Sequence, residues 1–132
     1  MRFQTQEITM LAYVTLGSND TEKSLAFYDA LMPELGAKRM FDNQRLYFYG
    51  TEQGQPMLAV GGPYDEQPAT CGNGVMPAFG VDDTATVDRV HAKALELGAV
   101  DDGAPGERVP GFFYGAYFRD PDGHKICICK FG

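Results

Sequence analysis

The sequence predicts an α+β domain made from two copies of a β-α-β-β-β module. Three observations carry that prediction. The first is a repeat. Tyr13-Val14-Thr15-Leu16-Gly17 aligns with Met76-Pro77-Ala78-Phe79-Gly80, Asp20-Thr21 falls on Asp83-Thr84, and after one gap Leu35-Gly36-Ala37 falls on Leu97-Gly98-Ala99. The second is the spacing inside each copy, where apolar residues pass from two-residue alternation to three- and four-residue recurrence, the change from strand to helix. The third is the remainder of each copy. Residues 45–49, a turn and residues 56–60 correspond to residues 114–118, the turn Asp120-Pro121-Asp122-Gly123 and residues 125–129. Two such series in the same order mark a duplicated unit.

Each element has a local reason. In the first strand Ala12, Val14 and Leu16 point one way, and Leu11, Tyr13 and Thr15 the other. Asp20 or Asn19 caps the first helix, and Glu22 lies in its first turn, where the helix dipole favours an acid. Leu25, Tyr28, Leu31, Met32 and Leu35 form its apolar face, Pro33 ends or bends its last turn, and Gly36 stops it. In the next aromatic strand Tyr47 and Tyr49 share a face that is not Phe48's. Residues 62–73, rich in Pro, Gly and polar side chains, read as the linker between modules. Asp83 or Thr84 caps the second helix, Val87, Val90, Ala94, Leu95 and Leu97 form its face, and Gly98 ends it. Residues 101–111 hold three Gly and two Pro, so they form a long loop or an irregular strand. The last strand sets Ile126 and Ile128 against Cys127 and Cys129. One helix covers one face of each sheet, which leaves the other face free to curl around something. The whole is one domain over residues 1–132, with modules at about 8–61 and 74–131.

Composition narrows the function. The 132 residues carry 11 Lys and Arg against 18 Asp and Glu, a net charge of -7. That balance, with no basic cluster, excludes a nucleic-acid footprint and an anionic membrane surface, and it favours neutral or cationic partners. No apolar run approaches the roughly 18 residues of a membrane span. The N-terminus lacks the apolar core of a signal peptide. Cys71, Cys127 and Cys129 are odd in number and match no zinc spacing, so reduced thiols in the cytoplasm are expected.

Tyr13-Val14-Thr15-Leu16, Ser24-Leu25-Ala26-Phe27-Tyr28 and Arg119-Asp120-Pro121-Asp122-Gly123 resemble motifs of the vicinal oxygen chelate superfamily. That group holds glyoxalases, extradiol dioxygenases and bleomycin-resistance proteins. The resemblance covers about residues 10–131, so residues 1–9 stand as an extension. It implies a cup-shaped, eight-stranded mixed sheet, a small-molecule cleft and a homodimer. Enzymes of the superfamily hold a divalent metal on the first and last strands of each module. Those positions fall on Tyr13, Leu58, Met76 and Cys127, with Leu58 placed by matching Gly54 to Gly123. None offers an imidazole or carboxylate, so no metal and no other cofactor is expected; a divalent ion would require a rebuilt site.

Two functions follow from the resemblance. One is lyase- or isomerase-type chemistry without the usual metal, with Tyr13, Tyr114 and Cys127 as catalytic candidates. The other is a bleomycin-resistance-like protein that sequesters an aromatic or cationic ligand without chemistry. In either case the expected cleft is lined by Tyr13, Tyr47, Tyr49, Leu58, Met76, Tyr114 and Cys127, with Arg45 or Arg119 as anion anchors. His91 is expected on the flank of its helix, and His124 at the turn that opens the last strand.

Overall fold

The computed structural model describes residues 10–132. The expected extension at residues 1–9, and the first residues of module one, lie outside the described residues. Strand β1 (Tyr13–Gly17) leads into helix α1 (Thr21–Leu31), a 3-10 turn (Met32–Leu35), and strands β2 (Lys38–Asp42), β3 (Leu46–Gly50) and β4 (Met57–Gly61). The second copy runs β5 (Ala78–Gly80), α2 (Thr84–Glu96), β6 (Val100–Val109), β7 (Phe113–Arg119) and β8 (Lys125–Phe131). The eight strands divide into two four-stranded mixed sheets, ordered β1-β4-β3-β2 and β5-β8-β7-β6. β1 pairs parallel with β4, and β5 with β8. A parallel pair needs a crossover, and the helix of each module supplies it.

The helix ends follow their sequence signals. The Asp20 carboxylate accepts from the Lys23 amide at 3.2 Å, and Asp83 accepts from the Thr86 amide at 2.7 Å. Pro33 sits in the 3-10 turn, where α1 gives way, and Gly36 (φ 70°) and Gly98 (φ 101°) take the left-handed conformation that stops each helix. The segment expected as a loop or irregular strand is β6, whose register with β7 shifts three times.

One core serves both modules. Leu16, Tyr49, Leu58 and Val60 of the first sheet, Tyr28 and Leu31 of α1, Val87, Val90 and Ala94 of α2, and Ala116, Phe118, Ile126 and Ile128 of the second sheet form a single buried cluster. α1 is therefore gripped on two sides. Phe27, outside the expected apolar face, is buried, with its ring 6.1 Å from that of Phe118 in the other module. In α2 two expectations need correction. Leu95 is exposed, and His91 occupies the buried face instead. The His91 Nε2 lies 3.0 Å from Asp101 Oδ1 and 3.2 Å from the Tyr117 carbonyl, so a polar ring bridges α2 to β6 and β7.

The turn before β8 ties the modules together. Asp120 is 4% exposed. Its carboxylate accepts from the Tyr28 hydroxyl at 2.6 Å and from the amides of Asp122 and His124, each at 2.9 Å. A carboxylate this deep is tolerated only when its oxygens are satisfied, and one donor here comes from the other module. His124 is buried as well, and its Nε2–H donates to the Gly17 carbonyl of β1 at 2.7 Å. The Asn19 amide returns a bond to Asp122 Oδ1 at 3.0 Å.

Tyr28→Phe leaves a buried Asp120 oxygen without its donor, so the unfolding free energy in urea should fall by about 1–3 kcal/mol. The same variant should change the alkaline limb of stability. Burial first, and the Asp120 charge next, push the Tyr28 phenol well above its ordinary value. Burial and the bond to Asp29 raise Tyr49 similarly. The unfolded chain ionises both at roughly pH 10, while the fold keeps them protonated. The folded state then binds more protons, so stability is full below that pH and falls above it. Tyr28→Phe should show the shallower fall; equal slopes in the two proteins would contradict this.

Candidate functional site

An open cleft of about 920 Å³ lies between the β1 side of the first module and the β5 side of the second. The first module contributes Leu11, Tyr13, Val14, Met57 and Leu58, together with Met32, Leu35 and Ala37 around the 3-10 turn. The second contributes Val75, Met76, Pro77, Ala78, Phe79 and Val81. The charged lining is Glu34, Asp82 and Asp83, and no Lys, Arg or His lines the cleft among the described residues. Glu34 is paired with Arg89 at 2.9 Å. Asp83 caps α2, and the Thr86 hydroxyl and then its amide hold the Asp83 carboxyl below its ordinary value. Asp82 has no hydrogen-bond or ion-pair partner among the described residues, and its carboxylate is open to a ligand. The chemistry on offer is a broad apolar wall with an acidic rim.

The expected site residues do not all meet here. Tyr13, Tyr49, Leu58 and Met76 line the cleft, whereas Tyr47, Tyr114 and Cys127 do not. Strand parity alone does not decide this, because Tyr47 and Tyr49 share a face and only Tyr49 reaches the cleft. Tyr13 packs edge-on against Phe48 at 5.1 Å, so it shares Phe48's face, opposite to Tyr47 and Tyr49. Tyr49 lies beneath α1, with its hydroxyl donating to Asp29 Oδ1 at 2.7 Å. Tyr47 lines a separate groove beside the start of α1, and the Arg39 guanidinium lies over its ring at 5.1 Å. Tyr114 faces α2 and donates to Asp88 Oδ1 at 2.6 Å.

Cys127 is fully buried on the opposite face of the second sheet from Tyr114, with Cys129 beside it. Burial first, and the neighbouring Cys129 next, push the Cys127 thiol up to about 12. It is therefore a protonated thiol at neutral pH and a poor nucleophile. The two arginines act structurally. Arg45 donates to the Gly62 carbonyl at 2.8 Å, and Arg119 spans Asp102 Oδ2 at 3.0 Å and the Gly123 carbonyl at 3.2 Å.

The family's metal positions do not fit a divalent ion. Leu58 points into the shared core. The strand register shows why the Gly54–Gly123 match misplaces it. Thr15 pairs with Ala59 and Ala78 with Cys127, and Thr15 and Ala78 are equivalent in the repeat, so Ala59 is the counterpart of Cys127. Ala59 also has no donor atom. Met76 lies in the loop before β5, and Tyr13 is 48% exposed on the first sheet. Among the described residues no three His, Cys, Asp or Glu side chains gather as a metal site.

The acidic rim was missed at the level of sequence. Its signal was present in the Asp82-Asp83 pair before the second helix and in the net charge of -7.

A two-module α+β protein with an open inter-module cleft of ligand size is the class these features define. Residues 10–128 match the Glyoxalase/Bleomycin resistance protein/Dioxygenase superfamily, and the chain belongs to it. A glyoxalase/bleomycin resistance protein from Albidiferax ferrireducens T118 is 35% identical, with a TM-score of 0.83 over 94% of this chain and 100% of that one. A hypothetical protein from S. aureus is 28% identical, with a TM-score of 0.70 over 95% of this chain and 96% of its own. A lactoylglutathione lyase from Agrobacterium tumefaciens, 22% identical with a TM-score of 0.65 over 93% of this chain and 94% of its own, shares the fold. No curated protein matches the sequence. No helix among the described residues is long and apolar enough to cross a membrane.

Thiol reactivity checks the burial order. Iodoacetamide on the native protein at pH 8 should label the half-buried Cys71 first and leave Cys127 and Cys129 slow. Labelling of Cys127 as fast as Cys71, read by peptide mass, would place it in solvent.

Proposed function

We propose that this superfamily member binds a largely apolar small molecule bearing a positive charge, in the cleft between its modules. The observation that supports this is the lining itself: apolar walls, three carboxylates and no basic side chain among the described residues. A cation that replaces water at Asp82 gains a charge-assisted contact beside a surface of low polarity, where such contacts are strengthened. Lyase or isomerase turnover is the weaker reading. It would rest on the Tyr13 hydroxyl, which has no carboxylate or imidazole partner among the described residues, and the family's metal positions carry Tyr13, Ala59, Met76 and Cys127, none of which offers an imidazole or carboxylate.

We infer a homodimer as well, because Leu11, Tyr13, Val75 and Met76 leave apolar surface open around the cleft. A cytoplasmic location fits the three free thiols.

Thioflavin T, a planar aromatic cation, tests the binding reading against its uncharged desmethyl analogue. The cation should raise the melting temperature and its own fluorescence, since a ligand of the folded state stabilises it. Asp82→Asn should weaken the cation by about tenfold, roughly 1.4 kcal/mol, and leave the neutral analogue unchanged. Equal affinity of the cation for Asp82→Asn and the parent, or turnover of a hemithioacetal in its place, would overturn the proposal. Light scattering after size exclusion should give twice 14.5 kDa for the dimer; a monomer mass at micromolar concentration would contradict it.

A further inference from the structure

A second open groove, of about 810 Å³, lies on the α1 side of the first sheet. Glu22 and Leu25 of α1, Tyr47 of β3 and the Gln44-Arg45 turn before it line the groove, and linker residues 63–68 bound the rest. The linker is pinned at both ends of that stretch. At one end the Ser18 amide donates to the Gly61 carbonyl at 2.8 Å, and Arg45 Nη1 donates to the Gly62 carbonyl at 2.8 Å. At the other, the Asn19 side chain makes two bonds with Ala69. Its Nδ2 donates to the carbonyl at 3.0 Å, and its Oδ1 accepts from the amide at 2.7 Å. Between the pins the chain is held by its own turn, in which the Glu66 amide donates to the Pro63 carbonyl at 3.1 Å. Residues 64–68 are exposed, so this arch stands off the protein and leaves the groove open.

Two further observations mark the groove. Gln44 (φ 73°) and Glu66 (φ 61°) are the non-glycine residues with positive φ among the described residues, and both line it. A long side chain seldom takes this conformation, which glycine or asparagine fills with less strain. Strained residues of this kind gather at ligand sites. The charges of the groove also leave one another unsatisfied. Glu22 and Glu66 have no hydrogen-bond or ion-pair partner among the described residues. The Arg45 guanidinium lies over the Tyr64 ring, 5.4 Å from its centroid, and its Nε and Nη2 have no partner among the described residues. The Gly62 carbonyl and the Tyr64 ring fix the guanidinium in place without cancelling its charge. Arg45 thus touches the turn that Glu66 closes, yet the two side chains do not pair.

We propose that this groove is a second ligand site, which binds a free α-amino acid with an apolar side chain. A ligand of one sign would leave either the guanidinium or the carboxylates unmet, whereas a zwitterion answers both. The open N–H groups of Arg45 take the ligand carboxylate, and Glu66 takes its ammonium, with Glu22 as a second acid in the groove. Tyr47 and Leu25 offer the apolar surface for the side chain. The groove is separate from the cleft of the proposed function, so either site can fail without the other.

L-phenylalanine, 3-phenylpropionate, which lacks the ammonium, and phenethylamine, which lacks the carboxylate, test it when titrated into the intact protein at constant ionic strength. Amide chemical shifts of Gln44, Tyr64, Glu66 and Gln67 report binding at the groove. L-phenylalanine should move these four together, and each analogue should bind there about tenfold more weakly or worse. Glu66→Gln should reduce L-phenylalanine to the affinity of 3-phenylpropionate, and Arg45→Gln should reduce it to that of phenethylamine. Glu66 is exposed, and an unchanged melting temperature for Glu66→Gln confirms that the fold is intact. Asp82→Asn, in the other cleft, should leave the four shifts as they are in the parent. The proposal is overturned if L-phenylalanine moves none of these amides at millimolar concentration, if either analogue binds the groove as tightly, or if Glu66→Gln binds as the parent does.

Discussion

The buried carboxylate of Asp120 is the constraint on which the arrangement of the two modules depends. It stands in the turn of one module and takes a proton donor, the Tyr28 hydroxyl, from the helix of the other. Its remaining acceptor capacity goes to the amides of its own turn. A charge at that depth costs several kcal/mol unless every oxygen is met, so the turn conformation and the inter-module contact must form together. His124, next along the chain, repeats the logic by donating to the Gly17 carbonyl at the end of β1. The Pro and Gly of the Asp120-Pro121-Asp122-Gly123 turn therefore do more than reverse the chain. They aim an acid and an imidazole at the opposite module.

Two features follow from that link. The first is the single core. α1 is held against both sheets, which buries Phe27 as well as the face that meets its own sheet, and Phe118 lies on the far side of it. Burial of side chains of this size contributes about 1.5–3 kcal/mol each, so the shared core outweighs the polar link in magnitude, while the link sets its geometry. The second is the cleft. Its walls come from different modules, and a rotation of one against the other would separate Tyr13 and Leu58 from Met76 and Phe79.

Much of the fold is legible in the sequence, and the reasons are local. The repeat, the Asp20 and Asp83 caps and the glycine stops each rest on a few adjacent residues. The parity of the last strand is also correct, because two isoleucines alternate with two cysteines there. The site is less legible because it depends on which face of each sheet is covered. Tyr47 and Tyr114 have the polar tips that a cleft uses, but Arg39 lies over the ring of the first and Asp88 accepts from the hydroxyl of the second, while Tyr49 does line the cleft with its hydroxyl held by Asp29. Leu58 was one residue out of register, an error that turns a strand residue from one face to the other. His91 and His124 are buried because carbonyl and carboxylate partners distant in sequence satisfy them, and no periodicity displays such partners.

The molecule also separates charge. The charged side chains that line the inter-module cleft are the acids Glu34, Asp82 and Asp83, whereas on the second sheet Arg119 and Lys125 share the carboxylate of Asp102. The cleft depends on the two modules behaving as one cooperative body. Native-state hydrogen exchange measures this most directly. The amides of Val60 in β4 and Ile128 in β8 should exchange with the same free energy, equal to that of global unfolding in denaturant. Exchange of the first-module amide at a distinctly lower free energy than the second would show the halves opening independently and contradict the account.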